Sequence, residues 1–329
     1  MSDLILSQKS NIRESILDFS KEYIVLFAIA ILSIVTGIVE PKFLSVANMT
    51  NIMRQFGPLI MVCLGMTFVI IGGFIDLSVS GTIPLVVVIT HSMIEPFGMV
   101  PALITGMIVG AICGFINSLL ILFSGATTQA EALFITYGTM VVYGGLALLY
   151  TGGVTHYMTY MEADYSLFTV IGSGTVGVFS VTFLIFLVVV TALYIFQSKT
   201  YLGRTINLIG GNKTAARLSG VSIKKGIISM FTINGFMAGL SGIILFSRVT
   251  QASPTLGRGY ETQAILAVVV GGTSLLGGKG SVIRTVIGTL LVILLGNCMN
   301  MLGVDVFMQN MMRGAILVIA IWLDAKRQH

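Results

Sequence analysis

Charged residues are scarce in this sequence: they make up 9% of its 329 residues, whereas about 25% is usual for a soluble domain. Hydrophobic residues, in contrast, reach 55%. A chain with so few charges cannot cover a water-facing surface of ordinary polarity. The composition therefore excludes a soluble globular protein and predicts a membrane protein.

Cysteine and histidine are also rare, with three residues of each type. Cys63, Cys113 and Cys298 stand singly inside apolar runs, and the lack of any C-x-x-C pair argues against a disulfide framework or a zinc site. The histidines are scattered, so no Ser–His–Asp or Cys–His arrangement can be built from them. We therefore predict no catalytic activity, no cofactor and no metal ion for this chain.

A complete phosphate-binding loop is missing as well. The stretch 273–280, TSLLGGKG, resembles the pattern G-x-x-x-x-G-K-[ST]. It has Thr273 in place of the first glycine and Gly280 in place of the final Ser or Thr. We do not expect the chain itself to bind a nucleotide.

Apolar runs are what the sequence has in abundance, and a helix needs about 20 mostly apolar residues to cross a bilayer. We predict an all-α, polytopic transmembrane helical bundle of about ten spans. A cytoplasmic tail over residues 1–22 precedes a single transmembrane domain over residues 23–329. Two runs, 81–95 and 262–275, are short for a crossing and predict half-helices. The ten runs are 23–39, 57–73, 81–95, 100–123, 133–150, 178–197, 226–246, 262–275, 285–302 and 306–323.

The distribution of charge predicts how the bundle is oriented. The loop 198–225 contains six basic residues and no acidic one, and loops of this kind stay in the cytoplasm. The loop 151–177 contains Glu162 and Asp164 but no Lys or Arg, which places it outside. Because the basic residues lie at span ends, the net charge of +5 indicates membrane orientation rather than nucleic-acid binding.

Three polar side chains in apolar surroundings are candidates for a translocation pathway. Asp76 follows Gly72 and Gly73, and an ionised carboxylate in hydrocarbon costs about 2.5–3.5 kcal/mol on insertion scales. It either lines or gates a pathway at a helix break, or caps a helix that begins near Leu77, and the two roles are compatible. We expect it nearer a membrane face than the midplane.

Asn297 and Asn300 are three residues apart, which predicts one shared helix face. An amide both donates and accepts hydrogen bonds, so the two could line a pathway for a hydroxylated solute. They could equally bond only to a neighbouring helix. Both alternatives stay open.

Glycine recurs at four-residue spacing in two of the predicted spans. Gly106, Gly110 and Gly114 lie in one, and Gly235 and Gly239 in another. Small residues at this spacing let helices approach closely, so we predict that these glycines pack helix against helix.

Five blocks of sequence together resemble one known family, the membrane-spanning permease subunit of ribose-type (monosaccharide) ABC importers. The resemblance covers most of the chain, and the glycine-rich third block and the GGN–AARLSG loop are specific in combination. The blocks are GMTFVIIGGFIDLSVSG (65–81), GRTINLIGGNKTAARLSGV (203–221), GYETQAILAVVVGGTSLLGGKGS (259–281), NCMNMLGV (297–304) and VFMQNMMRGAILVIAIWLDAKRQ (306–328).

The resemblance implies a permease in the bacterial inner membrane, surrounded by lipid, that forms the pathway for a ribose-like monosaccharide. It implies as partners a second permease copy or a related permease, a cytoplasmic ABC ATPase with two nucleotide-binding halves that hydrolyses ATP, and a periplasmic sugar-binding protein, with no nucleic acid. Ala215, Ala216 and Gly220 match the Ala-Ala and Gly of the short cytoplasmic helix that seats on the ATPase. The expected ATPase-coupling residues are Arg204, Lys213, Ala215, Ala216, Arg217, Leu218 and Gly220.

Three departures from the family pattern bear on partner and solute. Lys213 and Thr214 stand where the family often has acidic residues, FIDLSVSG replaces the usual GIDLSVG, and the stretch 124–132 lacks the usual basic, small-residue pattern. Two alternatives therefore remain. One is the same importer group with a nucleoside, a furanosyl signal or an amino acid as solute, and the other is an ion-coupled secondary transporter, for which Asp76 is the candidate ion-binding group.

Overall fold

The computed structural model describes residues 25–126 and 128–326, and most of these residues are helical. The N-terminal tail predicted over residues 1–22 lies outside the described residues. The helices are α1 (Val25–Val39), α2 (Val46–Ile71), α3 (Val79–Phe97), α4 (Met99–Ser124), α5 (Gln129–Thr151), α6 (Ser166–Ser173), α7 (Val181–Lys199), α8 (Tyr201–Gly211), α9 (Lys213–Leu218), α10 (Ile223–Val249), α11 (Tyr260–Val270), α12 (Val282–Met301) and α13 (Val306–Lys326).

Each of the ten predicted apolar runs coincides with one helix, and the all-α polytopic fold class is confirmed. In the described part of the chain, seven helices are long and apolar enough to cross a membrane: α2, α3, α4, α5, α7, α10 and α12. Helices α1 and α11 are shorter, and α13 contributes a shorter apolar segment, Val306–Trp322. The prediction of a half-helix is confirmed for α11, whose 11 residues rise about 17 Å. The expectation that the run is short for a crossing is wrong for α3, because that helix extends to 19 residues.

Four two-residue strands join the loops at one end of the bundle. β1 (His156–Tyr157) pairs antiparallel with β4 (Gln251–Ala252), and β2 (Thr175–Val176) pairs antiparallel with β3 (Phe179–Ser180). The β1–β4 pairing holds the loop after α5 against the loop after α10. These two loops therefore lie on the same side, as the predicted topology requires.

Helix α10 is the centre of the bundle and packs against α2, α3 and α4. Its contact with α4 depends on glycine: a Cβ built on Gly110 would lie 2.8 Å from the Cα of Gly239, and one on Gly235 would lie 2.7 Å from the Cα of Gly114. No real Cβ tolerates such distances, so the two backbones touch where side chains would normally separate them. The predicted glycine packing is confirmed.

Two irregular segments, 72–78 and 250–259, return to the middle of the bundle. Helix α10 has 27 residues and rises about 40 Å, close to the full thickness of a bilayer with its headgroups. Asp76 accepts a hydrogen bond from Asn234, near the middle of α10. Gly257 contacts Ile83 in the second turn of α3. Helix α3 therefore begins beside the middle of α10, and the loop before α11 reaches the second turn of α3. Irregular backbone is tolerated there because protein surrounds it.

Candidate translocation and coupling site

Asp76 is fully enclosed by protein, with 1% of its surface exposed. Its Oδ1 accepts a hydrogen bond of 2.9 Å from the backbone N–H of Ser78, and its Oδ2 accepts one of 2.8 Å from Nδ2 of Asn234. The cap position of α3 is Ser78, so the helix begins later than the expected start near Leu77. The carboxylate thus supports the turn before α3. It lies beside the middle of α10 rather than near a membrane face, where we expected it.

A buried network extends from Asp76 through three further side chains. Asn117 of α4 donates from Nδ2 to Oγ of Ser78 at 2.6 Å. The hydroxyl of Tyr143, on α5, donates to Oδ1 of Asn117 at 3.1 Å. With Asn234, the network joins α3, α4, α5 and α10. Removing one member would leave a buried polar group without its partner, which costs more than the lost bond itself.

Asn297 and Asn300 point to different neighbours. Asn297 has 3% of its surface exposed and exchanges two hydrogen bonds with Asn48 of α2, at 3.0 and 2.9 Å. Asn300 accepts a hydrogen bond of 2.8 Å from Gln309 of α13 and lines a cavity of about 180 Å³ that also contains Arg248 and Arg313. The structure therefore does not bring Asp76, Asn297 and Asn300 together in one site.

A larger cavity, of about 440 Å³, lies where α3, α5 and α11 meet. None of the three predicted pathway residues lines it. Its polar residues, Ser80, Arg258 and Glu261, were not singled out from the sequence, although Glu261 directly precedes the apolar run 262–275. The lining residues are Ser80, Gly81, Pro84, Met140, Val141, Gly144, Gly145, Leu148, Pro254, Arg258, Gly259 and Glu261.

The predicted ATPase-coupling loop folds into two short helices, α8 and α9. Helix α8 is capped by Thr200, whose hydroxyl accepts from the N–H of Gly203 at 3.1 Å. Helix α9 is capped by Asn212, whose Oδ1 accepts from the N–H of Ala215 at 2.9 Å. The sequence therefore places a helix-capping residue immediately before each of the two helices.

The side chains of α9 divide into a buried and a projecting set. Ala216 is buried, whereas Ala215 and Arg217 are exposed and Leu218 has 84% of its surface exposed. A leucine this exposed at a loop tip offers an apolar group to a partner. Arg204, on α8, is also exposed.

Gly220 ends α9 in a left-handed conformation, with φ of +76°. An added Cβ there would meet no other atom within 4 Å in the described chain. The glycine is needed for the backbone turn, because other residues rarely adopt positive φ.

Lys213 connects α9 to the irregular segment 72–78. Its ammonium nitrogen lies 3.9 Å from the centroid of the Phe74 ring, a cation–π contact. Burial lowers the pKa of Lys213 from its ordinary value, an effect that the Glu131 carboxylate partly opposes. Phe74 is only two residues from Asp76.

Three pairs of glycines meet beside this contact, and we call them the glycine junction: 72–73, 210–211 and 277–278. The N–H of Gly278 donates to the carbonyl oxygen of Ile71 at 2.8 Å. A Cβ on Gly277 would lie 2.8 Å from the Cα of Gly73, and one on Gly278 would lie 2.7 Å from the Cα of Gly211. The end of α8 is thus in direct backbone contact with the segments before α3 and after α11.

Among the described residues, no group of three His, Cys, Asp or Glu side chains is close enough to hold a metal ion. The three cysteines are buried and unbonded to one another.

Comparisons with known proteins identify the family. Residues 48–321 match the family model described as the branched-chain amino acid transport system permease component. The ribose import permease protein of Bacillus subtilis is 39% identical over 300 residues, which are 90% of each chain. That of Haemophilus influenzae is 35% identical over 90% of this chain and 91% of its own. The D-allose transport system permease protein of Escherichia coli is 32% identical over 93% of this chain and 92% of its own.

No solved structure matches the chain. The matched region nonetheless includes both irregular segments, the glycine junction and α8–α9. The resemblance to ribose-type permeases is confirmed, and the chain belongs to the family of multi-pass membrane proteins that form the permease component of such transport systems.

Proposed function

We propose that this chain is the membrane-spanning permease of a monosaccharide ABC importer, with D-ribose or D-allose as the first solutes to test. Its support is similarity along nearly the whole chain to permeases named for these two sugars. The position of α9 is the observation that supports a mechanism for coupling ATP hydrolysis to transport. This helix projects Leu218 from the bundle and at the same time contacts Phe74 at the start of a segment that returns to mid-depth.

The proposed assembly has two permease chains, a cytoplasmic ATPase with two nucleotide-binding halves and a periplasmic sugar-binding protein, in the inner membrane of a bacterium. ATP hydrolysis takes place in the ATPase. Closure of its two halves on ATP moves α8 and α9. Because the glycine junction joins α8 to the segments before α3 and after α11, that movement passes directly to the beginning of α3 and to the end of α11. The pathway then faces the sugar-binding protein and the cytoplasm in turn.

Reconstitution tests the proposal. The chain, its ATPase and its sugar-binding protein are placed in proteoliposomes, and uptake of radiolabelled D-ribose and D-allose is measured with ATP, with ADP and with an ATPase variant that cannot hydrolyse ATP. We expect uptake with ATP and the intact ATPase alone. Uptake that needs a Na⁺ or H⁺ gradient and no ATP would contradict the proposal. ATP-driven uptake of a nucleoside, a furanosyl signal or an amino acid in preference to both sugars would refute the solute class.

A further inference from the structure

The cavity of about 440 Å³ lies inside the bundle and is lined by one basic and one acidic residue, Arg258 and Glu261. Ser80 and Gly81 in the first turn of α3 form one wall, and Gly259 and Glu261 at the start of α11 form another. Helix α3 begins beside the middle of α10, as shown by the contact of Asp76 with Asn234, and the loop before α11 contacts α3 through Gly257 and Ile83. The cavity therefore lies inside the bundle, between the first turns of α3 and α11, and the loop 250–259 contributes Pro254 and Arg258 to its lining.

The lining suits a small polyhydroxylated solute. The Ser80 hydroxyl donates to the Glu261 carboxylate, and Arg258 lines the same space. A carboxylate only accepts hydrogen bonds, a guanidinium only donates them, and a serine hydroxyl does both, so together they can satisfy hydroxyls in either role. Apolar residues such as Met140 and Pro84 form the remaining walls. A volume of about 440 Å³ falls within the 300–1,000 Å³ typical of small-molecule sites.

One wall of the cavity is open. Helix α5 contributes Val141, with 57% of its surface exposed, and Gly144 and Gly145, where an added Cβ would meet nothing within 4 Å. Space on this side remains for a solute and for the second permease chain of the proposed assembly, which would close the site.

We infer that this cavity is a solute-binding site of the pathway, in which Glu261, Arg258 and Ser80 contact the hydroxyl groups of a monosaccharide. The inference rests on the proposed function and adds to it the site and the residues that hold the solute. Solute sites formed where interrupted helices begin at the midplane are common in transporters. Ser80 follows the segment 72–78, so movement of α9 through the glycine junction reaches this site through one short stretch of chain.

Filling the cavity from its open wall tests the inference. Gly145→Phe adds a ring at a position that lines the cavity and where an added Cβ would meet no other atom of the described chain within 4 Å. Gly138→Phe is the matched control, because Gly138 is on the same helix in equally open surroundings but does not line the cavity. Each variant is assembled with its ATPase and sugar-binding protein, and ATP-driven D-ribose uptake and ATP hydrolysis are measured.

We expect Gly145→Phe to reduce uptake about tenfold or more, equivalent to about 1.4 kcal/mol in the transport barrier, with the ATPase still bound and active. Gly138→Phe should import at close to the rate of the unaltered protein. Equal uptake by the two variants would overturn the inference.

A second pair of variants tests the chemistry of the site. Glu261→Gln keeps an acceptor for the Ser80 hydroxyl but removes the charge, so the fold is retained while hydrogen bonds to a solute weaken. We expect uptake of D-ribose to fall about fivefold. The control is Glu95→Gln, at the exposed end of α3 and away from the cavity. Unchanged uptake by Glu261→Gln would overturn the assignment of Glu261 to the solute.

The two proposals fail in different ways. If the unaltered complex imports neither D-ribose nor D-allose with ATP, the proposed function fails and the inference with it. If the unaltered complex imports sugar and Gly145→Phe imports it equally well, only the binding site is refuted.

Discussion

The ammonium nitrogen of Lys213 lies 3.9 Å from the centroid of the Phe74 ring. This contact joins the helix that we propose to dock on the ATPase to the irregular segment that holds Asp76. The contact therefore offers a short route by which an event in the cytoplasm can reach the middle of the bundle.

Removing the charge of Lys213 should weaken coupling without abolishing ATPase binding. A cation–π contact contributes about 0.5–1 kcal/mol at a partly exposed site, so we expect Lys213→Gln to reduce sugar imported per ATP hydrolysed by roughly two- to fivefold. The control is Lys224→Gln, on an exposed lysine of the same loop. Uptake and phosphate release are measured on the same proteoliposomes. An unchanged ratio would contradict a role for this contact.

Leu218 should be needed for retention of the ATPase. Since 84% of its surface is exposed, Leu218→Asp should change the free energy of unfolding by no more than about 0.5 kcal/mol. We expect the variant to reach normal levels in the membrane but to lose most of the ATPase on affinity purification. Leu44→Asp, on a similarly exposed leucine at the other end of the bundle, is the control. Full ATPase recovery with Leu218→Asp would show that α9 does not dock.

Exchanging Asp76 and Asn234 for one another should preserve stability, whereas removing the Asp76 carboxylate alone should lower it. Asp76→Ala removes the acceptor for Ser78 N–H and for Asn234 Nδ2, which should lower the free energy of unfolding by about 1–3 kcal/mol. The exchanged double variant, Asp76→Asn with Asn234→Asp, restores one donor and one acceptor and should recover most of the loss. Thermal unfolding in detergent and membrane abundance measure this effect. A double variant no more stable than Asp76→Ala would argue against a pairing role.

The contact of α4 with α10 should not tolerate a larger residue. Gly235→Val puts side-chain atoms against the backbone of Gly110 and Gly114, which we expect to cost about 1–3 kcal/mol or more. Gly314→Val is the control, since Gly314 is a helical glycine with no other atom within 4 Å of an added Cβ. The unfolding temperature should fall for the first variant only.

Cysteine labelling tests the predicted orientation. Ser219 and Ser166 are both exposed, and the native Cys63, Cys113 and Cys298 are buried, so background labelling should be low. A cysteine at Ser219 should react with a membrane-impermeant maleimide only from the cytoplasmic side, and one at Ser166 only from outside. The reverse pattern would place α9 away from the ATPase and refute the docking proposal.

Hydrophobic runs alone predicted the helical segments, because crossing a bilayer requires length and low polarity, and both are properties of local sequence. The depth of the irregular segments was not predictable in this way. Whether the chain after Ile71 leaves the membrane or returns into it depends on contacts such as the bond from Gly278 N–H, far along the chain. The sequence therefore identified Asp76 as a carboxylate in apolar surroundings, but it did not predict that Asp76 lies beside the middle of α10.

The candidate pathway was only partly accessible from sequence. Side chains three residues apart on a helix point in directions that differ by about 60°. Asn297 and Asn300 accordingly bond to different helices, α2 and α13. Ser80 and Glu261 were missed because they are 181 residues apart and neither has a motif that predicts the other. The loop containing α9 was predicted from its basic residues, because a cluster of charge is a property of the local sequence.

The glycine junction also constrains the order in which the protein matures during synthesis. Ile71, at the end of α2, leaves the ribosome long before Gly278, whose N–H donates a hydrogen bond to the carbonyl oxygen of Ile71. Until Gly278 is made, the carbonyl oxygen of Ile71 lacks this hydrogen bond and the turn after α2 lacks its contact with the segment after α11. A chain truncated before Gly278 would lack that contact permanently and should be a substrate for quality-control proteolysis, even though its earlier helices are intact.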